Sequence, residues 1–183
     1  MKNDYSSKDI QDIFESLDDK IDIVFRHQML FSLYRAIPRD YDVGYFMGEV
    51  DVHTLGYIEA EPGILAKEIA RKTYRSKGTV SVSLAKLEEE GFIEQRVNPN
   101  KKSERNLYIT PKGAQLCKRH REYDRRTTYN YILRLLEYCT PEEINGFFKV
   151  SHYRSEFFED VIKEERKKYE ASKRAGKKEK QKE

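Results

Sequence analysis

The sequence predicts a mostly α-helical protein with one small β-hairpin. Three observations carry this expectation. Apolar residues recur at helical spacing along most of the chain. One stretch, residues 92–110, alternates apolar and polar as strands do and is interrupted by a polar tip. Two Thr-Pro pairs, at 110–111 and 140–141, are helix start signals, with Thr as cap and Pro in the first turn.

Taken in order, residues 7–37 read as one long helix. Ile10, Phe14, Leu17, Ile21, Val24, Gln28 and Phe31 fall at alternating spacings of four and three, a narrow seam suited to helix–helix packing. Pro38 ends it, and "PRDYDVG" reads as a loop. Residues 48–60 form a second helix with Val52, Leu55 and Ile58 near one face, and "EPG" at 61–63 is a turn. A short helix follows at 64–73, with Leu65 and Ile69 on one side. Ser76 can cap the next helix, which runs to about Glu90 with Val80, Leu84 and Leu87 inward. Gly91 stops it. Strand 92–97 and strand 107–110 flank "NPNKKSERN", which has no aliphatic or aromatic side chain. A helix then runs from Pro111 to about Cys139. Thr140 to Glu143 is a capping box opening the last helix, which carries Ile144, Phe147, Phe148, Val150, Phe157, Phe158, Val161 and Ile162. From Lys163 onward there are ten cations against five Glu and no aliphatic residue larger than Ala, so a disordered tail is expected.

Composition narrows the function classes. The chain has 183 residues, enough for one domain with appended helices. Charged residues are 37% and mean hydropathy is −0.87, which favours a helix-rich molecule with much surface. The formal net charge of +3 is too small to imply a partner, so the placement of charge matters more. Two cysteines are not a disulfide framework. "MKNDYSSKDI" lacks the apolar core of a signal peptide, and no apolar run is long enough to span a bilayer, so a cytoplasmic location is expected. No phosphate loop or nucleophile elbow is present, so no catalytic residue and no cofactor are assigned, and the chain is read as non-enzymatic.

Two short helices, a tight turn and a two-stranded hairpin describe a winged helix-turn-helix. Residues 76–90 would be its recognition helix, with Lys77, Thr79, Ser81, Val82, Ser83 and Lys86 outward and Arg75 and Ser76 at its start. Small hydroxyls let a helix backbone approach a groove, and the helix N-terminus favours phosphate. The hairpin tip would be the wing, with Lys101, Lys102 and Arg105 as its cations on double-stranded DNA.

From about Gly48 to Gly113 the chain resembles the MarR family of transcription regulators. "EVDVHTLGYIEAEPGILAKEIARKTYRSKGTVSVSLAKLEEEGFIEQ" fits the family's layout, and "NLYITPKG" resembles its return strand and following helix. The resemblance implies a homodimer whose end helices interlock and whose two recognition helices bind a pseudo-palindromic operator, usually as a repressor. It implies dimerisation helices over 1–47 and 114–165, the DNA-binding lobe over 48–113 and the basic tail over 166–183. Two positions depart from the family pattern. Lys101-Lys102-Ser103 stands where the wing usually has Asp-x-Arg, and Val82 stands where many members carry Arg.

The resemblance also implies an effector between the helical stem and the lobe. Tyr34, Tyr45, His53 and Tyr57 are the candidate walls for a small aromatic or anionic ligand. His27, His53, His120 and His152 are scattered along the sequence, and Cys117 with His120 offers only two ligands, so no metal site is expected. Cys117 and Cys139 are read as buried, inert thiols. The rival reading is a winged-helix protein-interaction module, or a nonspecific DNA binder without an operator.

Overall fold

The computed structural model describes residues 6–15 and 17–179, with side chains followed to Lys173. The chain divides into two compact units, residues 1–125 and 126–183, and the boundary falls within one helix. Among the described residues no helix is long and apolar enough to cross a membrane.

The first unit begins with α1 (Ser7–Phe14) and α2 (Leu17–Ala36), where the periodicity predicts one helix. The break is held by a single cation. Lys20 Nζ donates to the carbonyls of Asp12, Ile13 and Glu15 at 3.2, 3.1 and 2.6 Å, satisfying acceptors that the end of α1 leaves free. The seam residues Ile10, Phe14, Leu17, Ile21 and Phe31 are all exposed within the chain, and α2 buries nothing.

The segment read as a loop after Pro38 contains a short ribbon, β1 (Arg39–Asp40) paired antiparallel with β2 (Phe46–Met47). Asp40 Oδ1 closes it by accepting from the amides of Val43 and Gly44. The ribbon drives Tyr41 and Met47 into the core.

The core itself is set by helical period. α3 (Glu49–Ala60) contributes Val52, Leu55 and Ile58, α4 (Ala66–Lys72) contributes Ile69, and α5 (Lys77–Glu89) contributes Val80, Leu84 and Leu87. Each of these side chains is buried, as the spacing predicts. α4 is shorter than predicted, and Leu65 precedes it in extended conformation, paired with Asn106 of the hairpin.

The hairpin is longer than the alternation suggests. β3 (Ile93–Asn98) pairs with β4 (Lys101–Ile109), so most of the polar tip is ladder rather than loop. Asn98 Oδ1 accepts from Asn100 N at 2.9 Å, which tightens the reversal around Pro99. Polar residues serve as well as apolar ones here, because exposed strands are joined by backbone hydrogen bonds.

α6 (Pro111–Leu135) starts where predicted and stops before Cys139. Its entry is tight. A Cβ at Gly113 would lie 2.2 Å from the Phe92 carbonyl oxygen. In the second unit Thr140 N donates to Glu143 Oε2 and Glu143 N donates to Thr140 Oγ1, the predicted capping box. It opens α7 (Pro141–Glu179), whose Phe147, Phe148, Val150, Phe157, Phe158 and Ile162 are exposed. The helix continues through 166–179, where composition predicts a disordered tail. Lys, Arg, Glu and Ala are strong helix formers, and the Lys163–Asp160 and Lys168–Glu165 pairs bridge successive turns at its approach. Residues 180–183 lie outside the described residues.

Gly113→Ala is expected to lower stability by about 1–3 kcal/mol, because the added methyl meets backbone rather than a yielding side chain. Denaturant unfolding measures this directly, and an unchanged midpoint refutes the close approach.

Candidate nucleic-acid interface

The turn between α4 and α5 is built from local bonds. Thr73 Oγ1 donates to the Ile69 carbonyl at 2.7 Å, ending α4. Tyr74 then adopts φ of 54°, a left-handed conformation uncommon for a non-glycine residue. Ser76 caps α5, accepting from Thr79 N at 3.1 Å, with the two hydroxyls 2.7 Å apart.

With Val80, Leu84 and Leu87 inward, the opposite face of α5 is fixed. Lys77, Thr79, Ser81, Val82 and Lys86 are exposed, and Val82 is 73% exposed. Ser83 is not among them. It is only 7% exposed, and its hydroxyl donates to Asp51 Oδ1 at 2.5 Å. Its position one residue before Leu84 places it on the edge of the buried stripe, so the outward assignment of Ser83 is corrected. Arg75 is also less free than expected, being half-buried with Nη1 3.9 Å from the same Asp51 oxygen. Asp51, which the sequence reading did not single out, therefore joins α3 to the start and the middle of α5.

The acidic end of α5 is structural in part. Glu88 accepts from the backbone and side-chain amides of Gln95, both at 3.0 Å, tying α5 to β3. Lys112 Nζ donates to the Glu90 carbonyl at 2.7 Å, satisfying one orphan acceptor at the helix end.

On the hairpin, Lys102 and Arg105 are exposed. Lys101 is engaged. Its ammonium lies 2.7 Å from Glu104 Oε1, which also lies 3.3 Å from Lys67 Nζ. Hydrogen bonds from Lys101 and then Lys67 hold the Glu104 carboxyl below the usual carboxylate range. Glu104 is an acid amid the wing cations that the charge pattern alone did not reveal.

The four candidate effector residues do not form one pocket. Arg39 lies 4.0 Å over the Tyr34 ring. Tyr45 packs on Phe92 and borders a cleft of about 320 Å³ with Lys112, Gln115 and Arg119. Tyr57 sits under Lys72. His53 faces His120, with ring centroids 4.8 Å apart. Two histidines that are scattered in sequence are thus neighbours, brought together by the packing of α3 on α6. Burial lowers the His120 pKa, keeping the imidazole neutral.

Cys117 is buried, and its thiol is pushed up to about 12 by burial first and by the Glu59 carboxylate second. Cys139 is partly exposed.

Residues 48–102 match the profile of the MarR family. A MarR family transcription regulator of known structure superposes with a TM-score of 0.65 at 20% identity, covering 82% of this chain and 97% of its own. Streptococcus pneumoniae FabT, solved in complex with DNA, gives 0.57 at 19% identity over 81% and 99%. MarR gives 0.53 at 24% identity over 85% and 92%. At these identities the likeness is one of fold. No curated protein matches the chain.

Ser83→Ala is expected to cost about 1–3 kcal/mol by leaving Asp51 short of a donor, without changing which DNA sequence is bound. An altered sequence preference in a binding selection returns Ser83 to the contact face. At pH 8 only about one Cys117 thiol in ten thousand is ionised. Native alkylation mapped by mass spectrometry should therefore label Cys139 and spare Cys117; equal labelling of both contradicts the burial.

Proposed function

We infer, because residues 48–102 are a MarR-family winged helix-turn-helix lobe, that the chain is a DNA-binding transcription regulator that reads a specific operator. We further propose that it acts as a homodimer on a pseudo-palindromic site, as a repressor, in the cytoplasm where that DNA lies. The carrying observation is the exposed N-terminal face of α5. Lys77, Thr79, Ser81 and Val82 stand in solvent on a helix whose other side is held by Val80, Leu84 and Leu87. Short side chains let that face sit deep in a major groove, and Val82 offers an apolar surface to a thymine methyl. Beside it the hairpin carries Lys102 and Arg105 toward phosphate and the minor groove.

The apolar rows of α2 and α7 support the homodimer. Each is a run of large side chains that no residue of the chain covers fully. In a dimer the two α5 helices must match successive major grooves, about 34–36 Å apart. An effector acting on the dimer would work by changing that distance, and DNA would weaken its binding in equal measure. The dispersal of Tyr34, Tyr45, His53 and Tyr57 gives no support to a single aromatic effector pocket.

DNA selection from a random pool, at two salt concentrations, tests this reading. Wild type is expected to enrich a palindromic motif. Lys101→Ala/Lys102→Ala should weaken all sites evenly with a shallower salt slope, and Ser81→Ala/Val82→Ala should alter the motif. If no motif is enriched and binding vanishes at modest salt, the protein-interaction module or the nonspecific binder takes its place.

A further inference from the structure

We propose that His53, His120 and Asp124 form a binding site for a divalent transition-metal ion of the zinc class. One ligand atom from each residue lies within 4.8 Å of the other two. His53 projects from α3, while His120 and Asp124 are one turn apart on the facing side of α6. The site therefore spans two elements that are far apart in sequence.

The second observation is an unmet bond. His120 is 6% exposed, and its Nε2 has no hydrogen-bond partner. Asp124 Oδ2 is 3.2 Å away but not in hydrogen-bond geometry. A buried polar atom without a partner costs about 1–3 kcal/mol, so such atoms are rare unless something fills the gap. Aromatic packing explains the edge-on contacts of the His120 ring with Tyr41 and His53. It does not explain an unpaired ring nitrogen beside a carboxylate.

The surroundings admit an ion. A cavity of about 280 Å³ is lined by these three residues with Val52, Gly56, Cys117 and Arg121. The His53 side chain is 46% exposed, which leaves an entry path. Around zinc at about 2.1 Å, tetrahedral ligand atoms stand roughly 3.4 Å apart. The His120–Asp124 separation already suits this, and a rotamer adjustment of His53 completes it. Water or Glu49 can take the fourth position; Glu49 Oε1 is 3.7 Å from His53 Nε2, although Arg35 and Arg39 also hold that carboxylate. Two imidazoles and one carboxylate select zinc-like ions over calcium or magnesium.

Occupancy would clamp α3 to α6. His53 lies two residues from Asp51, which accepts the Ser83 hydroxyl of α5, so the clamp bears on the exposed helix. That consequence rests on the DNA-binding reading; the ion site does not.

The test is a metal titration of the full chain without an affinity tag, using Zn²⁺ against a chromophoric chelator and Co²⁺ by visible absorption. One ion per chain is expected, with Co²⁺ bands of tetrahedral intensity. His53→Ala and Asp124→Asn, both at partly exposed side chains, should keep the helical circular dichroism and weaken binding at least about tenfold. Absence of a stoichiometric ion in the wild type overturns the proposal. So does equal affinity in the two folded variants, which would put the ion elsewhere.

Discussion

At Phe92 four elements meet through backbone atoms. Its amide donates to the Leu87 carbonyl, closing α5, and its carbonyl accepts from both the amide and the hydroxyl of Thr110, at 3.0 and 3.1 Å. Gly113 brings α6 against the same carbonyl, where no larger residue has room. Gly91, at φ of 76°, makes the reversal that lets the chain leave α5 and enter β3 at this point. The direction of α5, the root of the hairpin and the start of α6 are therefore one geometric decision. Moving any of them strains the others, so the α5 face and the hairpin cations keep a fixed relation.

The features legible in the sequence are those with local physics. Ser76, Thr110 and the Thr140–Glu143 pair cap helices through side chains a few residues from the amides they satisfy. Val80, Leu84 and Leu87 announce their burial by spacing alone. The failures have tertiary causes. The polar half of β4 carries no hydrophobic alternation, because its ladder is held by backbone groups in solvent. Tyr41 sits in an apparent loop, and only the β1–β2 ribbon turns it inward. Ser83 fits either side of the helix until Asp51 is placed, and His53 meets His120 only once α3 packs on α6.

Electrostatics on the lobe are less permissive than a count of cations suggests. Arg75 is committed to Asp51, and Lys101 and Lys67 share Glu104. An approaching phosphate must compete with a carboxylate at Lys101 before it gains a contact, whereas Lys102 and Arg105 meet it in the open. Exposed pairs of this kind are individually weak, so Glu104 tempers attraction more than it forbids it. A wing arranged this way discriminates against indiscriminate polyanion binding, which favours partners that satisfy the α5 face as well.

α7 has thirty-nine residues, so as an unbroken helix it is about 58 Å long. Its first half carries the phenylalanines and its second half the lysines and arginines. A rod with two chemistries works as a ruler. Whatever grips the apolar half sets both the distance and the rotational phase at which the cationic half is presented. A one-residue insertion between the halves would turn the charges by about 100° while advancing them only about 1.5 Å. Orientation, more than reach, is what the length of this helix controls.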